Sequence, residues 1–118
     1  MKALMEHWKG IMIAIVFAVL TLTSVILFYE NSLLTIVIMA LISIVMLLKY
    51  RSAIITQIFV FTAIVGPLTE IIVIRSGAWN YTNPDFLGIP AWLFFVWGNA
   101  GVVIYQASYL FKKLGVKS

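Results

Sequence analysis

Four side chains of this 118-residue chain carry a carboxylate, and only Glu70 falls within a long apolar run; Glu6, Glu30 and Asp85 belong to polar segments. A carboxylate carried into hydrocarbon costs at least ~2.5 kcal/mol, so such a residue faces a protein interior or a watery cavity and is a functional candidate. Glu70 stands in "VGPLTEIIVIR". On a helix, Thr62, Gly66, Thr69 and Glu70 share one face, because steps of three and four residues return to it. Pro67 removes a backbone donor and crowds the carbonyl of Ala63, which predicts a kink, with Gly66 and Pro67 as a hinge. On this reading Glu70 is a proton carrier, a general acid/base or a partner for a cation. The competing reading pairs it with Arg75 near the membrane surface, although a spacing of five is poor for a helical pair.

A second polar series, Trp92, Asn99 and Gln106, recurs every seven residues and drifts only slowly around a helix. Asn99 is deep and its amide needs partners. Gly98 and Gly101 flank it, with Ala100 between them, and let another helix approach closely. The amide therefore serves either to join helices or to orient a ligand. The hydroxyls of Thr21, Thr23, Ser24, Ser43 and Thr56 mark no site by themselves, since Ser and Thr commonly bond the backbone four residues earlier.

The elements that must position these residues follow from composition. The chain is 64% hydrophobic and 10% charged, against about a quarter charged in soluble domains. Such a chain belongs in a bilayer. Four apolar runs, about 10–29, 32–48, 53–74 and 89–111, each match the roughly 17–25 residues of a membrane-crossing helix. They are too long and too evenly apolar for barrel strands. The fold class is an all-α membrane protein: one domain, residues 1–118, with four transmembrane helices in a compact up-down bundle whose first three helices are antiparallel neighbours.

Lys2, Lys9, Lys49, Arg51, Lys112, Lys113 and Lys117 fall on one side of that arrangement and Arg75 alone on the other. The positive-inside rule then puts both termini in the cytoplasm, in a membrane that is read as the prokaryotic cytoplasmic one. The first run is too long for a signal peptide and lacks a small-residue cleavage pattern.

The segment 75–88, with "GAWNYTNPDFLGIPAWLFFVWGN" around it, concentrates three tryptophans, two turn prolines and an acid. Trp79, Tyr81 and Trp92 suit the outer interface, while Trp97 is deeper and packs inside. Pro90 suits the first turn of the fourth helix, and Asp85 suits its positive end if the loop folds back. The loop is long and aromatic, hence an ordered cover above Glu70. The "NYT" at Asn80 matches a glycosylation pattern too short to carry weight.

No cysteine is present, and the one histidine, His7, lies in the polar N-terminal segment. The sequence therefore offers no thiolate site, no metal cluster and no Ser/His/Asp triad. It offers no phosphate-binding loop and no cofactor, and its dispersed basic residues exclude a nucleic-acid face.

The stretches "PLTE", "WNYTNP" and "LGIPAWL", with the tryptophan after them, resemble a signature of small, uncharacterised four-helix prokaryotic integral membrane proteins, over residues 67 to 99. Trp79, Tyr81, Pro84, Gly88 and Ile89 are loosely similar to a stretch of the lycopene cyclase domain, which implies an isoprenoid substrate. That family's paired acids after a proline are replaced here by Ala91 and Trp92. In size and helix count the chain resembles small multidrug-resistance exporters, which implies a dimer, with Glu70 in place of those exporters' first-helix glutamate.

The leading expectation is a small integral membrane transporter or binding protein for an apolar or cationic amphiphilic molecule. It is a homodimer surrounded by membrane lipids, with Glu70 as charged site, Trp79, Trp92 and Trp97 as aromatic walls, and Asn99 orienting the ligand. The alternatives are a membrane enzyme acting on an isoprenoid or lipid, with Glu70 as acid/base and Asp85 as its partner, and a structural subunit assembled through Gly98 and Gly101.

Overall fold

A computed structural model describes the backbone of residues 2–115 and the side chains of residues 8–115. Four helices account for most of it: α1 (Lys2–Phe28), α2 (Ser32–Tyr50), α3 (Ala53–Arg75) and α4 (Leu93–Lys113). Each is long and apolar enough to cross a membrane. In hydrocarbon every backbone polar group must be satisfied within the chain, and uninterrupted helices do that for segments as β-branched as these.

Short reversals stop and restart the helices. The Asn31 side chain caps α2 by accepting the Leu34 N–H at 3.1 Å, as short polar side chains do at helix starts. The Thr35 hydroxyl donates back to the Asn31 carbonyl at 2.8 Å. Arg51 closes α2 in the left-handed region (φ 47°), and its N–H reaches the Leu47 carbonyl at 3.0 Å, a common way to end a helix. Ser52 then caps α3 by accepting the Ile55 N–H at 3.3 Å.

The core faces have helical spacing. Ile11, Ala14, Phe17, Thr21 and Ser24 are the buried face of α1, and Thr35, Met39, Ser43 and Met46 that of α2. The opposite faces are covered with apolar side chains: Leu22, Ile26, Leu33, Ile72 and Ile104 are all exposed. Such a surface is matched to lipid.

One neighbour relation differs from expectation. Helix α4 is the hub, packed against α1, α2 and most extensively α3; α2 and α3 meet only narrowly, and among the described residues α1 does not touch α3. The turn at Arg51 and Ser52 reverses the chain without fixing the side to which α3 swings. Small residues decide that side. A Cβ on Gly98 would lie 2.5 Å from the Phe59 ring and one on Gly101 2.2 Å from the Thr62 hydroxyl. Helices α3 and α4 thus approach as only glycine permits.

Helix α4 also begins four residues later than the apolar run suggests. Residues 85–89 form a small reversal in which Phe86 and Ile89 exchange backbone hydrogen bonds across Leu87 (φ 51°) and Gly88 (φ 86°). This is the mirror-image turn that needs two positive φ angles. Ile89 and Pro90 are buried in that arrangement, so Pro90 precedes the helix instead of opening it. Helix α3 runs as a helix through Pro67 to Arg75.

Candidate functional site

Glu70 lies on the last third of α3, between one and two helical turns below Arg75. It does not pair with Arg75: no ion pair forms among the described residues, and Arg75 is exposed. Its partners come from two other segments. The Tyr81 hydroxyl, from the loop, donates to one carboxyl oxygen, and the Trp97 indole N–H, from α4, donates to the other. Trp97 is set by Gly66, one turn below Glu70, where an added Cβ would fall 2.0 Å from the indole ring. Gly66 and Pro67 are buried, so the expected hinge is packed against the tryptophan that holds the acid.

Above and beside the carboxyl group is a cavity of about 330 Å³. Glu70, Tyr81, Trp92 and Trp97 form one side, and Leu22, Val25 and Ile26 of α1 with Val96 and Ala100 of α4 form the rest. Leu22 and Ile26 are 59% and 70% exposed on the outside of the bundle, which places the mouth on its lateral face, between α1 and α4. A second hollow of about 200 Å³ shares Leu22, Val96 and Ala100 with the first and continues past Thr21 and Asn99. The two make one groove along α4.

The loop brings Tyr81 to Glu70, and its own fastenings explain how. Tyr81 packs against Trp92 with ring centroids 6.2 Å apart at 89°, the edge-to-face arrangement that aromatic quadrupoles favour. Burial, followed by the hydrogen bond to Glu70 and its charge, raises the Tyr81 phenol well above its ordinary range. The phenol therefore stays a donor to Glu70. Asp85 accepts the Ala91 N–H at 2.7 Å and the hydroxyl of Ser32 at the start of α2. The backbone donor first, and the hydroxyl second, hold this exposed carboxyl below the usual carboxylate range, because both favour its charged form. Asp85 therefore fastens the loop and does not line the cavity.

Asn99 lies lower, 1% exposed, with partners on two other helices: it accepts from Ser43 at 2.8 Å and donates to the Thr21 hydroxyl at 3.0 Å, which donates in turn to the Phe17 carbonyl at 2.8 Å. It joins α1, α2 and α4. Of the residues singled out in the sequence, the fold thus brings Glu70, Trp92 and Trp97 together, sets Asn99 beside the continuing groove, and leaves Trp79 half-exposed away from the cavity wall. Tyr81, read in the sequence as an interfacial aromatic, is a direct partner of Glu70; its position in the loop expected above Glu70 was the available signal. The Trp92 N–H is buried and unpartnered.

No three His, Cys, Asp or Glu side chains gather among the described residues, and His7 lies outside the described side chains. The chain matches no family model, no curated protein and no solved structure.

Proposed function

We propose that this protein binds a membrane-dissolved amphiphile with a cationic head, which enters sideways from the bilayer between α1 and α4. The observation that carries the reading is the lone span carboxylate, Glu70, in the wall of an otherwise apolar cavity whose mouth lies on the lipid-facing side of the bundle. A carboxylate has about four acceptor positions. The Tyr81 and Trp97 donors use two, so Glu70 keeps capacity for an ammonium or similar head. Aromatic faces of Tyr81, Trp92 and Trp97 beside a carboxylate suit a cation further, because a ring face attracts positive charge most strongly where water is excluded. The apolar tail would lie along the shared wall of Leu22, Val96 and Ala100.

Binding comes first in this account, and transport is its extension. Movement of the bound molecule across the bilayer would use the groove past Asn99, and the homodimer expected from the sequence belongs to that extension. The enzymatic alternative loses its second acid, since Asp85 is committed to Ala91 and Ser32.

The test is equilibrium binding of radiolabelled tetraphenylphosphonium, a hydrophobic cation, to the protein in lipid nanodiscs. Saturable binding that weakens at least about tenfold in Glu70→Gln supports the proposal. Binding that is absent in the native protein, or equal in the two, removes it.

A further inference from the structure

At the end of the bundle that carries both termini, a different cleft has formed. Tyr105, Ser108, Tyr109, Lys112 and Lys113 line a cavity of about 450 Å³. They share one face of α4 by steps of three and four. A smaller hollow of about 190 Å³ adjoins it, sharing both tyrosines and adding Ser52, the cap of α3, and Ile55 from α3 with Gln106 from α4. The larger cavity is lined by α4 alone, and the adjoining hollow reaches α3.

Its chemistry is opposite to that of the Glu70 cavity. Lys9, Lys49, Arg51, Lys112 and Lys113 all lie at this end, whereas Glu30, Glu70 and Asp85 lie toward the other; Glu6 falls outside the described side chains. No ion pair neutralises the two lysines among the described residues, and Lys113 rests over the Tyr109 ring at 5.3 Å. The two tyrosine rings lie 6.4 Å apart. Lysine and tyrosine at the last turns of a membrane-crossing helix sit at headgroup depth, with their stems and rings against the acyl chains. Beside them Ile104 and Phe111 are exposed and offer an apolar flank to those chains.

We infer that this cleft binds the phosphate headgroup of an anionic phospholipid from the leaflet on the side of the termini. Two ammonium groups supply the charge, the Ser108 hydroxyl and the Tyr105 phenol supply directed donors, and the exposed apolar flank accommodates a lipid tail. Each lysine near an anionic lipid surface contributes about fivefold to such binding. The site is independent of Glu70 and stands or falls separately from the amphiphile proposal.

The experiment is native mass spectrometry of the full chain released from vesicles of equimolar phosphatidylglycerol and phosphatidylcholine, counting each lipid retained. Preferential retention of phosphatidylglycerol is expected, reduced roughly 25-fold in the Lys112→Gln/Lys113→Gln double variant and unchanged in Glu70→Gln. Ser108→Ala, which keeps every charge, is expected to reduce it severalfold. A Lys9→Gln/Lys49→Gln control removes the same charge at the same end but outside the cleft and is expected to lose clearly less than the Lys112→Gln/Lys113→Gln variant. Equal retention of the two lipids, equal losses in the two lysine double variants, or displacement by millimolar glycerol phosphate would each overturn the inference: the first denies selectivity, the second reduces it to a diffuse field, and the third assigns the cleft to a soluble phosphate.

Discussion

Two polar clusters lie on neighbouring helices, one centred on Glu70 of α3 and the other on Asn99 of α4, and they are built from different groups. Around Asn99 every group is neutral, each is short, and the hydrogen bonds run Ser43 to Asn99 to Thr21 to the Phe17 carbonyl with almost no exposure. Around Glu70 the central group is a carboxylate, its two partners are large aromatic donors from other segments, and it borders a cavity open toward lipid. A network of short neutral groups between close-packed helices holds those helices together. An acid at a cavity wall is, on the function proposed above, the group that meets a ligand. What separates them is the group at the centre and its partners, a neutral amide held by short hydroxyls in one and an acid held by two aromatic donors in the other.

The comparison can be broken most forcefully at Gly66, which supports the Glu70 cluster from behind. Gly66→Ala forces its new methyl into the Trp97 indole, and overpacking of this kind costs roughly 1–3 kcal/mol. A lowered unfolding midpoint in detergent, together with a shifted tryptophan emission spectrum, is the expected result. An unchanged spectrum would mean that Trp97 is not seated on Gly66. Next in size, Glu70→Gln is expected to weaken binding of a hydrophobic cation at least about tenfold while the unfolding midpoint moves little. Asn99→Ala should do the reverse, lowering stability by about 1 kcal/mol and leaving cation binding intact. A stability loss in Glu70→Gln larger than that in Asn99→Ala would invert the assignment of roles.

The smallest effect concerns the loop that delivers Tyr81. Asp85 is held below its ordinary range by the Ala91 N–H and the Ser32 hydroxyl. Because the folded value lies below the unfolded one, its contribution is complete above about pH 4 and fades as the pH falls through the lowered value. Amide exchange at Ala91 should therefore be slow near neutrality and quicken in acid, beyond the intrinsic pH dependence. In Asp85→Asn that extra acid dependence should vanish.

Much of this architecture was readable from composition because hydrocarbon permits so few backbone solutions. The spans at 32–48 and 53–74 fall within two residues of the observed α2 and α3. Glu70 was legible for the same reason: a carboxylate inside an apolar run has to be explained. The residues that satisfy it were not. A loop of this length can set any of its aromatics over the end of α3, and only the fastenings at Asp85 and Ile89 select Tyr81. The start of α4 was misplaced because Pro90 fits a first helical turn as well as the turn before it, and the tertiary role of Ile89 decides between them. The packing of α3 on α4 was foreshadowed by Gly98 and Gly101, but one-dimensional spacing does not name the helix that uses the gap. Asn99 announced a need for partners without identifying Ser43 and Thr21, since hydroxyls along an apolar helix usually serve their own backbone.

The most direct test of the distinction between the clusters is a single titration of tetraphenylphosphonium, followed by quenching of tryptophan fluorescence, on the native protein, Glu70→Gln and Asn99→Ala in identical nanodiscs. Equal affinities are expected for the native protein and Asn99→Ala, with at least about tenfold weaker binding for Glu70→Gln. Equal affinities in all three, or a loss confined to Asn99→Ala, would contradict that distinction.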